Sequence, residues 1–143
     1  MAMATDVVST ERPLVVVIED ENDLRQLVVH NLRAEGFDAL GAATAGEGLA
    51  LCTMHRPAVV ILDRMLDHID GIVLCEHLRA DAMTADAAIL VLSARGSADE
   101  KETGFAAGVD DYVVKPFGID DLLERVRALA TLAARRQALR TTR

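Results

Sequence analysis

Leu14-Val15-Val16-Val17-Ile18-Glu19-Asp20 is an apolar, largely β-branched run that closes on two acids. No polar residue alternates within it, which is the pattern of a strand buried on both faces inside a parallel sheet. The pattern returns at 58–62, ending on Asp63, and at 88–92, ending on Ser93. A shorter version at 112–114 ends on Lys115-Pro116, and 37–41 reads as a weak strand between the first two.

Helical spacing fills the intervals. Leu24, Leu27, Val28 and Leu32 form one stripe over 22–35, with Gly36 as the stop. Thr44 and Glu47 make a capping box that opens a helix to 54, with a first turn softened by Gly46 and Gly48. Helices over 72–79, 99–107 and 119 to about 138 follow, the last with Leu122, Leu123, Val126 and Leu129 inward. Strands that alternate with helices give an α/β fold. Right-handed crossovers then give a doubly wound, five-stranded parallel sheet of order 2-1-3-4-5. The expected division is an N-terminal tail over 1–13, one domain over 14–131, and the end of the last helix or the start of a linker over 132–143.

The composition narrows the function. Hydrophobic residues make up 51% of the 143, so the net charge of −8 does not imply a disordered acidic chain. The same charge argues against a basic face for nucleic acid or for an anionic membrane. Only Arg135, Arg136, Arg140 and Arg143 form a basic stretch, read as a tail. No run approaches the ~20 apolar residues of a membrane span, and 1–13 lacks the apolar core of a signal peptide. Cys52 and Cys75 sit in apolar helical patterns and are expected as buried free thiols, so a cytoplasmic location is expected. His30, His55, His68 and His77 lack metal-ligand spacing.

In sheets of this kind ligands bind beyond the carboxyl ends of the strands, where the strand order reverses. Those ends carry Glu19, Asp20, Asp63, Ser93 and Lys115. Taken singly, an Asp at a strand end is an ordinary turn former and Glu21 an ordinary helix start. Together the five need another explanation. Two carboxylates ~4 Å apart repel by about 4 kcal/mol at an effective dielectric near 20. A hard divalent cation relieves that repulsion, since Mg²⁺ takes one or two carboxylates, keeps waters and accepts phosphate oxygens. Lys115 adds a mobile positive charge and Ser93 a hydroxyl donor.

Val16-Val17-Ile18-Glu19-Asp20-Glu21, Ile61-Leu62-Asp63-Arg64-Met65-Leu66, Asp70-Gly71, Leu92-Ser93-Ala94-Arg95 and Gly108-Val109-Asp110-Asp111-Tyr112-Val113-Val114-Lys115-Pro116-Phe117 resemble bacterial response-regulator receivers. The resemblance is greatest to the OmpR/PhoB subfamily and implies a CheY-like, flavodoxin-like (βα)5 fold. It implies that Asp63 accepts a phosphoryl group from a sensor histidine kinase. Asp20, Asp63 and the Met65 backbone carbonyl would ligate Mg²⁺ (Mn²⁺ as a substitute), with Glu19 acting through water. Ser93, Lys115 and the backbone N–H groups of Arg64 and Ala94 would hold the phosphoryl oxygens. Ser93 and Tyr112 would be switch residues, and Lys115-Pro116 a cis peptide.

The resemblance further implies a phosphorylation-driven homodimer through the face of the fourth helix, fifth strand and fifth helix. Lys101 would pair with Asp121, and Asp110 or Asp111 with Arg125. The plainer reading is an intrahelical Asp121–Arg125 pair. DNA would be reached only through an output domain outside this chain. The chain would have no enzymatic role beyond its own phosphotransfer and autodephosphorylation. A single-domain receiver or scaffold acting by protein–protein interaction and, less favoured, an Asp-nucleophile phosphohydrolase are the alternatives. A haloacid-dehalogenase-type enzyme of the latter class would want an Asp where Met65 stands. Asp67 departs from the family's usual Pro, which predicts a more mobile and more negative loop, and Ser93 replaces the commoner Thr.

Overall fold

The structure, a computed structural model, describes residues 12–141; most of the expected tail over 1–13, together with Arg143, lies outside the described residues. The strands are β1 (Leu14–Ile18), β2 (Asp38–Ala42), β3 (Val59–Asp63), β4 (Ala88–Ser93) and β5 (Asp111–Val114). The helices are α1 (Asn22–Ala34), α2 (Ala45–His55), α3 (Gly71–Ala80), α4 (Ala98–Ala106) and α5 (Ile119–Thr141). The sheet is parallel throughout, in the order β2-β1-β3-β4-β5. The α/β architecture expected from the strand patterns is the one observed.

Alternate residues of the buried strands feed two cores. Val15, Val17, Val59, Ile61, Leu90 and Leu92 face Val28, Leu32, Leu122 and Val126 of α1 and α5. Val16, Ile18, Val60, Leu62, Ile89 and Val91 face Cys52 of α2 and Leu74, Cys75 and Leu78 of α3. Leu27, expected in the α1 stripe, is half exposed, because Leu24, Val28 and Leu32 already fill the face toward the sheet. Burial pushes the Cys52 thiol up to about 12 and the Cys75 thiol up to about 11, as suits inert core groups.

Local chemistry sets the helix ends. Thr44 Oγ1 accepts from Glu47 N (3.1 Å), and the Glu47 carboxylate accepts in return from Ala43 N (3.0 Å). Gly48 is not a soft spot: it is buried, and a Cβ there would meet Ile18 Cδ1 at 2.4 Å. Asp70 caps α3 by accepting from Ile72 N at 3.0 Å. The last helix continues unbroken through 131 to Thr141, with Ala133 buried.

The loop after Asp63 differs from expectation. Met65–Leu66 and Ile69–Asp70 pair as a short antiparallel hairpin around Asp67 (φ 45) and His68 (φ 70). Positive φ at both central residues is what a two-residue hairpin turn of type I′ requires. A short paired hairpin therefore stands where a loop was expected. Gly71 follows it with its N–H on Arg64 O at 2.5 Å, and a Cβ there would lie 2.5 Å from Asp63 O and 2.7 Å from Leu62 Cδ1. Backbone cannot yield as a side-chain tip can, so Gly71→Ala is expected to cost about 1–3 kcal/mol. Urea denaturation measures it; an unchanged midpoint contradicts the packing argument.

Candidate functional site

Glu19 and Asp20 follow β1, Asp63 ends β3, Ser93 ends β4 and Lys115 follows β5, so five strand-end side chains share one rim of the sheet. Lys115 Nζ donates to Asp63 Oδ2 (2.9 Å) and to Glu19 Oε1 (3.1 Å). Glu19 Oε2 accepts from Glu21 N at 3.1 Å. Glu19 is 1% exposed and Asp63 8%, whereas Asp20 is exposed and its Oδ2 accepts from Asp67 N at 3.3 Å. The hairpin turn is thus tied to the acidic cluster through backbone, without the side chain of Asp67.

Electrostatics separate the members of the cluster. Burial pushes the Glu19 carboxyl up to about 7, with the neighbouring Asp63 charge adding to it and the Glu21 N–H and Lys115 opposing. Burial works against the Lys115 charge too, but the carboxylates of Asp63 and Glu19 outweigh it and hold the ammonium pKa above its usual value. One lysine therefore covers two buried carboxylates, and the third lies beside them in water.

Oxygens of Glu19, Asp20 and Asp63 lie within 4.8 Å of one another, a hard, all-oxygen donor set open to solvent on the Asp20 side. That set suits Mg²⁺ or Mn²⁺ better than the softer metals. The residues present fit the cation.

Ser93 is buried, and its Oγ accepts from Arg95 N at 3.1 Å. Lys115-Pro116 is cis, as the resemblance implied. Two expectations need correction. The Arg64 amide, expected at the phosphoryl oxygens, donates instead to Leu92 O at 2.7 Å, because the parallel pairing of β3 with β4 runs one residue past Asp63. The amide that faces the acceptor carboxylate is that of Met65, 3.2 Å from Asp63 Oδ1.

Asp110, expected on the dimer face, is turned inward with its side chain 12% exposed. Its Oδ2 accepts from Arg79 Nη2 (2.8 Å), Arg136 Nη1 (3.1 Å) and Ile89 N (2.9 Å), and its Oδ1 from Arg136 Nη2 (2.5 Å). Arg136 is therefore a packing partner rather than part of a basic tail. Asp111, Asp121 and Arg125 do gather at the β5–α5 surface, where Arg125 pairs with both acids in its own chain at 2.9 and 3.1 Å. Lys101 stands half-buried on α4.

A family model of the response regulator receiver domain matches residues 15–127. The chain belongs to the response regulator receiver domain family. It is 40% identical over 117 residues to the DNA-binding dual master transcriptional regulator RpaA of Synechocystis, covering 82% of this chain and 48% of that protein. It is 41% identical over 117 residues to the phosphate regulon transcriptional regulatory protein PhoB of Rhizobium meliloti, covering 82% and 52%. The receiver thus spans about half the length of these curated relatives. Among solved structures it resembles the Francisella response regulator 1452 receiver domain with TM-score 0.78 and 32% identity, over 84% of this chain and 98% of that one. It resembles the chemotaxis response regulator CheY4 of Vibrio cholerae with TM-score 0.79 and 28% identity, over 83% and 99%. Receivers of this family are signalling domains, and this one is related in sequence to transcriptional regulators. Among the described residues no helix is long and apolar enough to cross a membrane.

Proposed function

We propose that this receiver accepts a phosphoryl group on Asp63 from the phosphohistidine of a sensor histidine kinase and passes the change to its α4–β5–α5 surface. A single observation carries the reading: Asp63 sits 2.9 Å from Lys115 Nζ, in a cluster with Glu19 and Asp20 at the carboxyl rim of the sheet. An Asp63 carboxylate oxygen forms the new bond to phosphorus as the donor's P–N bond breaks and its imidazole leaves. Such a transfer is mostly positioning and charge stabilisation. Lys115 supplies one fixed positive charge to the phosphoryl oxygens, and Ser93 a hydroxyl donor once its Oγ turns from Arg95 N. The Met65 N–H, already on Asp63, joins the Ala94 N–H as a backbone donor. Asp20 and Asp63 would hold a Mg²⁺ ion with the Met65 carbonyl, and Glu19 through water; bound there, the cation offsets the negative charge that accumulates as the phosphoryl group arrives.

The output is a change in partner choice rather than turnover, and transcription control in the cytoplasm is the reading that fits the curated relatives. DNA would then be contacted through a separate output domain. Dimerisation through α4–β5–α5 remains part of the proposal with Lys101, Asp111, Asp121 and Arg125. Asp110 is dropped from it because Arg79 and Arg136 already hold that carboxylate. Arg125 would have to exchange its intrachain acids for those of a second copy, and such rim pairs set register more than affinity.

Incubation with acetyl phosphate and Mg²⁺ followed by intact-mass measurement tests the acceptor. The wild-type chain gains one phosphoryl mass and Asp63→Asn gains none. Labelling of Asp63→Asn at the wild-type rate would overturn the assignment.

A further inference from the structure

Arg64 follows the acceptor Asp63, and its side chain is only 13% exposed. Nε and Nη2 donate to Asp70 Oδ1 and Oδ2 at 2.7 and 3.4 Å, and Nη1 donates to the Tyr112 hydroxyl at 3.1 Å. Nη1 also lies 3.4 Å from Glu100 Oε1. One guanidinium therefore touches the cap of α3, the start of β5 and the first turn of α4. These contacts outweigh the cost of burial and hold the Arg64 pKa above its usual value.

Glu100 makes the arrangement informative. Ser97 Oγ accepts from Glu100 N at 3.2 Å, which places a glutamate at the third helical position behind a serine cap. In a capping box such a carboxylate turns back to the start of its own helix, as Glu47 does on α2. Glu100 turns to Arg64 instead, and its Oε2 is buried with no hydrogen-bond partner, which no other side-chain oxygen or nitrogen does among the described residues. A carboxylate oxygen buried without a partner is costly to keep. Here the first turn of α4 leans on the residue beside the phosphorylation site. Tyr112 is 5% exposed, and its ring passes under Gly104 of α4, where an added Cβ would meet the ring at 3.4 Å. Arg64 thus fixes the Tyr112 hydroxyl from one end while α4 covers the ring.

We propose that Arg64 is the positioning residue that couples the phosphorylation loop to α4 and Tyr112. It holds Glu100 and the Tyr112 hydroxyl together, and movement of the loop redraws that arrangement through its guanidinium. The inference rests on the receiver reading above for its functional meaning, whereas the contacts themselves are testable without any phosphoryl group.

Tyr112 is the sole tyrosine, and tryptophan is absent. A tyrosine ¹³C-labelled at Cε alone therefore reports this site alone. In the unliganded wild type, Arg64→Met should shift that signal and raise amide exchange over 98–106 several-fold. Glu100→Gln should raise the exchange over 98–106 while moving the tyrosine signal much less. Mg²⁺-beryllofluoride should move the wild-type tyrosine signal, and Arg64→Met should lose at least half of that movement while Asp63 is still labelled by acetyl phosphate. Arg64→Lys, which restores a charge without the fork, should recover the α4 protection in part. A general loss of stability would raise exchange evenly and would not single out 98–106. If Arg64→Met leaves both the tyrosine signal and the 98–106 exchange at wild-type values, the coupling role is wrong. Failure of wild-type labelling at Asp63 would instead overturn the proposed acceptor role of Asp63, and the Arg64→Met comparison without beryllofluoride would still decide the contacts.

Discussion

Asp110→Ala is expected to lower the unfolding free energy by about 3–5 kcal/mol, the range for removing one partner of a buried ion pair. Asp110 sits where α3, α5, β4 and the turn before β5 meet. Arg79 reaches it from α3 and also donates to Gly108 O (3.1 and 2.8 Å), Ala85 O (2.9 Å) and Ala87 O (2.5 Å). Arg136 reaches it from the far half of α5 and donates to Ala87 O as well, at 3.3 Å. The Asp110 carboxylate further accepts from Ile89 N (2.9 Å), and Asp110 N donates to Ile89 O (2.8 Å), so β4 is held from both sides. Truncation leaves two partly buried guanidinium groups facing each other and the Ile89 N–H without its acceptor. A domain whose whole stability is 5–15 kcal/mol loses a large share by this. Asp110→Asn, which keeps the shape and one acceptor oxygen, should lose about half as much. Thermal melting should show a drop on the order of 10 °C for the alanine variant. A midpoint within a degree of wild type would mean that the network is too well solvated to matter.

The same residue shows where sequence reading stops. The buried strands were legible because nothing polar interrupts Val15–Ile18, Val59–Leu62 or Ile89–Leu92, and a strand enclosed on both faces allows no other pattern. The shared rim of Glu19, Asp20, Asp63, Ser93 and Lys115 was legible because each stands at the carboxyl end of a strand, so strand order alone brings them together. Asp110 was misread because Gly-Val-Asp-Asp-Tyr offers two adjacent acids. Their opposite directions depend on which one meets Arg136, a residue 26 positions away. Arg136 was misread for the complementary reason: a basic stretch near a chain end looks like a tail until the helix is seen to continue past the sheet.

The loop after Asp63 was legible only in part. Asp67 in place of Pro drew attention to the right position, but a two-residue turn is specified by φ values, and Asp-His is not the Asn-Gly or Asp-Gly signal that announces one. The contacts of Arg64 left no trace in the sequence at all. Arg64 to Tyr112 spans 48 positions, and nothing in the pattern 63–70 shows that the side chain runs inward under α4.

Mg²⁺ is expected to stabilise the receiver by about 2.7 kcal/mol at 100 times its dissociation constant. For a domain of this size that corresponds to a rise on the order of 10 °C in the melting temperature. The cluster motivates the sign as well as the size. Lys115 covers Asp63 and Glu19, and burial already pushes Glu19 up to about 7, so the pocket resists further negative charge. Asp20 adds that charge within 4.8 Å of both. A divalent cation, Mn²⁺ in place of Mg²⁺ included, offsets all three at once and binds only when folding has brought the strand ends together. Asp20→Asn therefore has two consequences of opposite sign. Without metal it should melt higher than wild type, since one repelling charge is gone. With millimolar Mg²⁺ it should gain less than a third of the wild-type increment, since a ligand is gone too. A chelator should return the wild type to its lower midpoint and leave the variant nearly unmoved. A melting temperature indifferent to Mg²⁺ in the wild type, or equal Mg²⁺ increments in the two proteins, would show that Asp20 and Asp63 do not act as a cation site.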